Sequence, residues 1–160
     1  MSESAVFMAP IPTTPAIPAL ISRLVEQFDA AWIDADNLDA WLAQGGDCLL
    51  LLCGDPVRHP ECLDVAVVLP ELRVEIARRH QLTLRLGVVS RADEEAIAER
   101  FAVRRWPSLV WLRDGGYVTT FSGMLDWDEY LRLADSAASQ RDARIPLLAG
   151  APVSAPGGCQ

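Results

Sequence analysis

The chain of 160 residues has the length of one domain, and its 14 basic against 22 acidic side chains give a net charge of −8 over a composition that is 51% hydrophobic. A balance this acidic excludes general nucleic-acid binding, which needs a basic face against phosphate, and favours cationic partners. No stretch approaches the roughly 20 apolar residues of a membrane-spanning helix, and four cysteines without a C-x-x-C pair, beside only two histidines, offer no zinc site of familiar spacing, so no metal or other cofactor is expected.

Residues 1–18 carry Pro10, Pro12, Pro15 and Pro18, which bar regular helix and central strand and predict an extended arm. The opening MSESAVFMAP lacks the basic start and continuous apolar stretch of a secretory signal, so a cytoplasmic location is expected. All basic residues are arginine, a bias that fits a high-GC bacterial source. From Ile17 to Phe28 the apolar residues Leu20, Ile21, Leu24, Val25 and Phe28 recur at helical spacing. A short apolar run, Ala30 to Ile33, and a helix over Leu38 to Ala43 ending at Gly45-Gly46 come next. CLLLLC, residues 48–53, has no polar alternation and predicts a strand covered on both faces.

After the loop GDPVRHPE, a long helical segment from about Cys62 to His80 contains Pro70, which is expected to kink or restart it. LTLRLGVV, residues 82–89, reads as a strand, and Asp93 to Phe101 as a short helix whose acids Asp93, Glu94 and Glu95 favour its N-terminus. The strand–helix–strand order favours parallel pairing. Two apolar runs flanking Asp114-Gly115-Gly116 predict an antiparallel hairpin, and Asp126 with Glu129 forms a D-x-x-E pattern like a capping box at the start of a last helix ending near Ser139. Residues 19–140 thus read as one α/β domain, followed by a Pro/Gly/Ala-rich tail over 141–160.

This element order, with FAVRRWPSLVWLRDGGYVTTFSG at residues 101–123, resembles a thioredoxin fold: a central mixed sheet with helices on both faces. In that family a cis-proline precedes the first hairpin strand, and Pro107 stands at the matching place; Pro70 resembles the proline of the active-site helix. Counting back from Pro70 puts Cys62 at the nucleophile position and Val65 at the resolving position, so the dithiol cycle is absent. The acid that thioredoxins bury in the preceding strand is also missing from CLLLLC. GDPVRHPE, DVAVVLPEL, RWPSLVWLRDGGY and SGMLDWDEYL together resemble the HyaE/HupG/HoxO family of nickel-iron hydrogenase maturation proteins over about residues 20 to 140. The resemblance implies a non-catalytic chaperone that binds the twin-arginine signal of the hydrogenase small-subunit precursor and delays export, with other maturation proteins as further partners.

Such a signal has a basic start and an apolar middle, so its receptor needs carboxylates beside an apolar groove. Trp106, Pro107 and the loop Gly54–Cys62, with Asp55, Glu61 and Asp64, form one candidate surface; extended peptide backbone would pair near Pro107. A competing candidate is the acidic helix start Asp126, Asp128 and Glu129. The alternative function is a monothiol oxidoreductase in which the helix dipole activates Cys62, or a scaffold subunit of the hydrogenase assembly complex. Cys48 and Cys53 read as core and Cys159 as a tail thiol; Trp111 reads as core, Trp127 as packing the last helix, and His59 as a solvated loop residue.

Overall fold

A computed structural model describes residues 16–139; the expected tail over 141–160 with Cys159, and all of the expected arm but residues 16–18, lie outside the described residues. The domain is organised on the strand β2 (Asp47–Leu52). Its side chains alternate between two cores: Leu49 and Leu51 enter one, Cys48, Leu50 and Leu52 the other, and Leu49 to Leu52 are fully buried. A strand with no solvent-facing side has no use for polar alternation, which is the physical content of the CLLLLC run.

The sheet order is β1-β3-β2-β4-β5. Strands β1 (Ala31–Ile33), β3 (Leu84–Val89) and β2 run parallel, and β4 (Ser108–Arg113) and β5 (Gly116–Ser122) complete the sheet antiparallel. Helices α1 (Ala19–Gln27), α3 (Glu61–His80) and α5 (Trp127–Ala138) cover one face, and α2 (Leu38–Ala43) and α4 (Glu94–Arg100) the other, as the two cores require. The hairpin turns on Asp114 (φ 50°) and Gly115 (φ 79°), the two positive values a two-residue turn between right-twisted strands needs. Asp114 Oδ1 also accepts the Gly46 N–H at 2.7 Å, tying the hairpin to the loop before β2.

Three local expectations are corrected. Pro70 does not restart the long helix: α3 runs unbroken through it from Glu61 to His80, with Pro70, Leu69 and Leu72 buried against the sheet, so packing outweighs the lost backbone donor. The helix ends where Gln81 turns left-handed (φ 52°) and the Leu82 N–H returns to Ala77 O at 3.2 Å, which delays β3 to Leu84. The capping box does not form: Asp126 stands at the N-cap without a side-chain hydrogen bond, and Glu129 instead pairs with Arg132 at 2.6 Å. No helix among the described residues is long and apolar enough to cross a membrane.

Gly87 shows how tightly the sheet is closed. A Cβ there would stand 2.9 Å from Ile33 Cγ1 and from Trp41 Cη2. Gly87→Ala is therefore expected to cost about 1–3 kcal/mol by overpacking, seen in urea unfolding as a lower midpoint with an unchanged slope.

Candidate functional site

The strand register brings several chain segments to one edge of the sheet. Leu52 pairs with Ser108, and Ser108 with Ser122, so the segments after β2, before β4 and after β5 leave at the same end, where α3, α4 and α5 begin. The Trp106–Pro107 peptide is cis. Pro107 is buried, and its carbonyl accepts the Gly123 N–H at 2.7 Å, which binds the segment before β4 to the end of β5. Arg105 lays its guanidinium against Gly123, with Nε 3.2 Å from where a Cβ would be.

Trp106 is half-buried. Gly54 (φ 76°) lies so close beneath it that a Cβ would meet Trp106 Cβ at 2.8 Å, and His59 stacks on the indole with ring centroids 6.3 Å apart. Expected as a solvated loop residue, His59 thus has a ring partner. Below them is a carboxylate: Glu94, from the first turn of α4, is 0% exposed. Its Oε1 accepts the Gly54 N–H, and Arg91 Nη1 stands 3.8 Å from its Oε2. The Trp106 indole turns toward the same carboxylate, yet neither Trp106 Nε1 nor Glu94 Oε2 completes a hydrogen bond. Burial pushes the Glu94 carboxyl above its ordinary range, against the opposing pull of Gly54, Arg91, Trp106 and His59.

Sequence reasoning takes Glu94 only as favouring a helix start and misses it as a site residue, although one signal marks it: Ile97, Ala98 and Phe101 stand three, four and seven residues on, and all are buried. Helical phasing therefore turns the middle acid of Asp93-Glu94-Glu95 inward.

Cys62 is fully buried. Burial raises its thiol pKa, and the charges of Glu94, Glu61, Asp55 and Asp64 push it the same way. Burial and the neighbouring acids thus oppose the pKa-lowering effect of the helix start on which a monothiol mechanism would draw. Val65, at the resolving position, is buried too. Cys48 and Cys53 are core residues as expected; burial pushes Cys48 up to about 12 and raises Cys53 as well.

The acids divide by what already holds them. Asp55 accepts the Val57 N–H at 2.9 Å and faces Arg58 at 4.0 Å, and Glu129 holds Arg132. Glu61 and Asp64 at the start of α3, and Asp126 and Asp128 at the start of α5, are exposed and make no side-chain hydrogen bond or ion pair among the described residues. Trp111 is core, its Nε1 bonded to Asp47 at 2.8 Å, but Trp127 does not pack the last helix inward: it is 42% exposed, as is Met124 just before it. Val57, on the loop before α3, is 89% exposed. This end of the domain thus presents apolar side chains, four uncommitted carboxylates and the exposed arginines Arg58, Arg91, Arg104 and Arg105.

Residues 20–130 match the family model described as Hydrogenase-1 expression protein HyaE. The chain is 54% identical over 154 residues to the hydrogenase expression/formation protein HoxO of Cupriavidus necator, covering 95% of this chain and 92% of that one. It is 38% identical over 135 residues to the HoxO of Azotobacter vinelandii, covering 82% and 88%. Among solved structures, a single-substitution mutant of the thioredoxin from Halobacterium salinarum superposes with a TM-score of 0.53 at 20% identity over 69% of this chain and 92% of that one, a likeness of fold.

With Cys159 replaced by Ser, the native protein is expected to resist alkylation by iodoacetamide at pH 8 at Cys48, Cys53 and Cys62, and to react at all three once unfolded. Rapid native labelling of Cys62, read by peptide mass, would restore the thiol mechanism.

Proposed function

The chain belongs to the HyaE family of hydrogenase expression proteins, and on that premise we propose that it serves hydrogenase maturation as a non-catalytic chaperone that holds the small-subunit precursor by its twin-arginine signal and delays its export. The observation that carries the reading is the pairing, at one end of the fold, of exposed apolar side chains with carboxylates that nothing in the described domain neutralises. A basic, apolar segment satisfies both at once.

The distribution of partners favours some residues of each of the two surfaces considered from sequence. Asp55 and Glu129 are engaged, Pro107 is buried, and the segment carrying Trp106 also carries Arg104 and Arg105, which repel incoming arginines. Glu61, Asp64, Asp126 and Asp128 remain as arginine receptors, with Met124 and Trp127 beside the α5 pair to take the apolar middle of the signal. Trp106 borders the groove, and its backbone N–H and C=O take no part in the backbone hydrogen bonds outside the strands and helices among the described residues. They are available for an extended peptide in the manner of strand addition. A cytoplasmic location, where the precursor awaits its metal clusters, belongs to the same reading. The complex needs to be reversible and involves no bond making, which agrees with a Cys62 thiol that is buried and held neutral.

Titration calorimetry with a synthetic small-subunit signal peptide and a twin-lysine control is expected to show salt-sensitive binding that prefers arginine, because the guanidinium fork matches a carboxylate. The pairs Asp126→Arg with Asp128→Arg, and Glu61→Arg with Asp64→Arg, are each expected to weaken binding about tenfold. Unchanged affinity in both double variants would overturn the acidic receptor; loss in one alone assigns it to that helix start.

A further inference from the structure

A buried carboxylate that is only partly partnered calls for an explanation, because an ionised group out of water is costly unless all its acceptors are satisfied. Glu94 is such a group. It comes from α4, on the far face of the sheet from α3, yet its side chain ends between the loop after β2 and the segment before β4. Among the described residues no backbone hydrogen bond outside the strand ladder joins segment 54–60 to segment 104–107. What joins them is the Glu94 carboxylate, with the Gly54 amide on one oxygen and the Trp106 indole turned toward it, and the packing of Trp106 on Gly54 and His59.

We propose that Glu94 is the positioning residue of the docking face: its carboxylate accepts the Gly54 N–H and so fixes the loop on which the Trp106 indole packs, which sets the apolar border of that face. The inference rests on the peptide-binding reading for its purpose but on the geometry alone for its mechanism. A carboxylate suits the task because both oxygens accept. Glutamine has a single acceptor, so one of its ends must turn an N–H toward another N–H, either at Gly54 or at Trp106. Aspartate keeps the charge but is one methylene shorter and cannot serve both.

The energetics separate this role from a purely structural one. Because folding raises the Glu94 pKa, its contribution to stability is present below the ordinary glutamate range and is lost as pH rises through the folded value. Ionised Glu94 therefore costs the fold stability at neutral pH, and Glu94→Gln, which carries no charge to bury, is expected to keep the thermal midpoint at pH 7 while releasing Trp106. The groups around the carboxylate are Arg91 on the preceding turn, His59 on the loop, Cys53 at the end of β2 and Cys62 on α3.

The test uses the full chain and reads the indole N–H resonance of Trp106, identified by its loss in Trp106→Phe. In the wild type this resonance is expected to move as Glu94 titrates; Glu94→Gln should abolish that step, and Glu94→Asp should shift the resonance at neutral pH. In parallel, signal-peptide affinity in Glu94→Gln is expected to fall about tenfold, the scale of one lost charge-assisted hydrogen bond, with no loss of thermal midpoint. A Trp106 resonance indifferent to Glu94 in the wild type and both variants overturns the inference, as does an affinity loss that merely tracks a loss of stability. If the wild type binds no signal peptide while Trp106 still reports Glu94, the chaperone reading fails and the positioning role stands.

Discussion

The structure depends on a single strand having no face toward water. β2 lies between β3 and β4, and each of its residues from Cys48 to Leu52 enters one of two separate cores. Covering both sides demands helices on both sides, so α1, α3 and α5 pack on one face and α2 and α4 on the other. Because β2 pairs parallel with β3 and antiparallel with β4, the covering helices α3, α4 and α5 all begin at the edge where β2 ends. The site is a consequence of that arrangement. Helix starts collect there, and with them the acids that favour helix N-termini.

The same scaffold in a dithiol oxidoreductase needs an exposed thiolate at the start of α3. Here that requirement has been dropped, and what replaces it follows from burial. Cys62 and Val65 have turned into the core, so α3 gains apolar contact where a redox helix would leave reactive sulfur accessible. Glu94 is a buried acid of different origin: it reaches the region from α4 and accepts the Gly54 N–H. Its negative charge raises the pKa of the Cys62 thiol further, so the carboxylate and a reactive thiolate would work against each other.

Most of the fold was legible because its elements obey simple periods. The unbroken apolar run of β2, the 3.6-residue spacing of α1, the Asp-Gly turn and the glycines closing α2 are local signals, and the structure places elements there. The failures were of another kind. A restart at Pro70 and the D-x-x-E cap follow local rules that packing and an Arg132 pair override. The candidate site was less legible still, since which acids are free depends on which short-range arginine pairs and backbone hydrogen bonds form. Asp55 and Asp128 look alike in sequence, but Asp55 accepts the Val57 N–H and faces Arg58, and Asp128 has neither partner. Glu94 hid within three consecutive acids, although its register with Ile97 and Phe101 pointed inward.

Charge gives the docking end a direction. The arginines Arg104 and Arg105 flank Trp106, Arg58 lies on the same loop as His59, and Arg91 reaches toward Glu94, whereas the uncommitted acids stand at the starts of α3 and α5. A basic, apolar segment entering this end is attracted at the acids and repelled at the Trp106 border, so only one orientation places its arginines beside carboxylates and its apolar part along Trp127 and Met124. In the proposed complex, fixing Trp106 at that border would matter for the same reason: a mobile indole would let the repelling arginines next to it drift, and the two-signed face would lose the contrast that would give a peptide its direction.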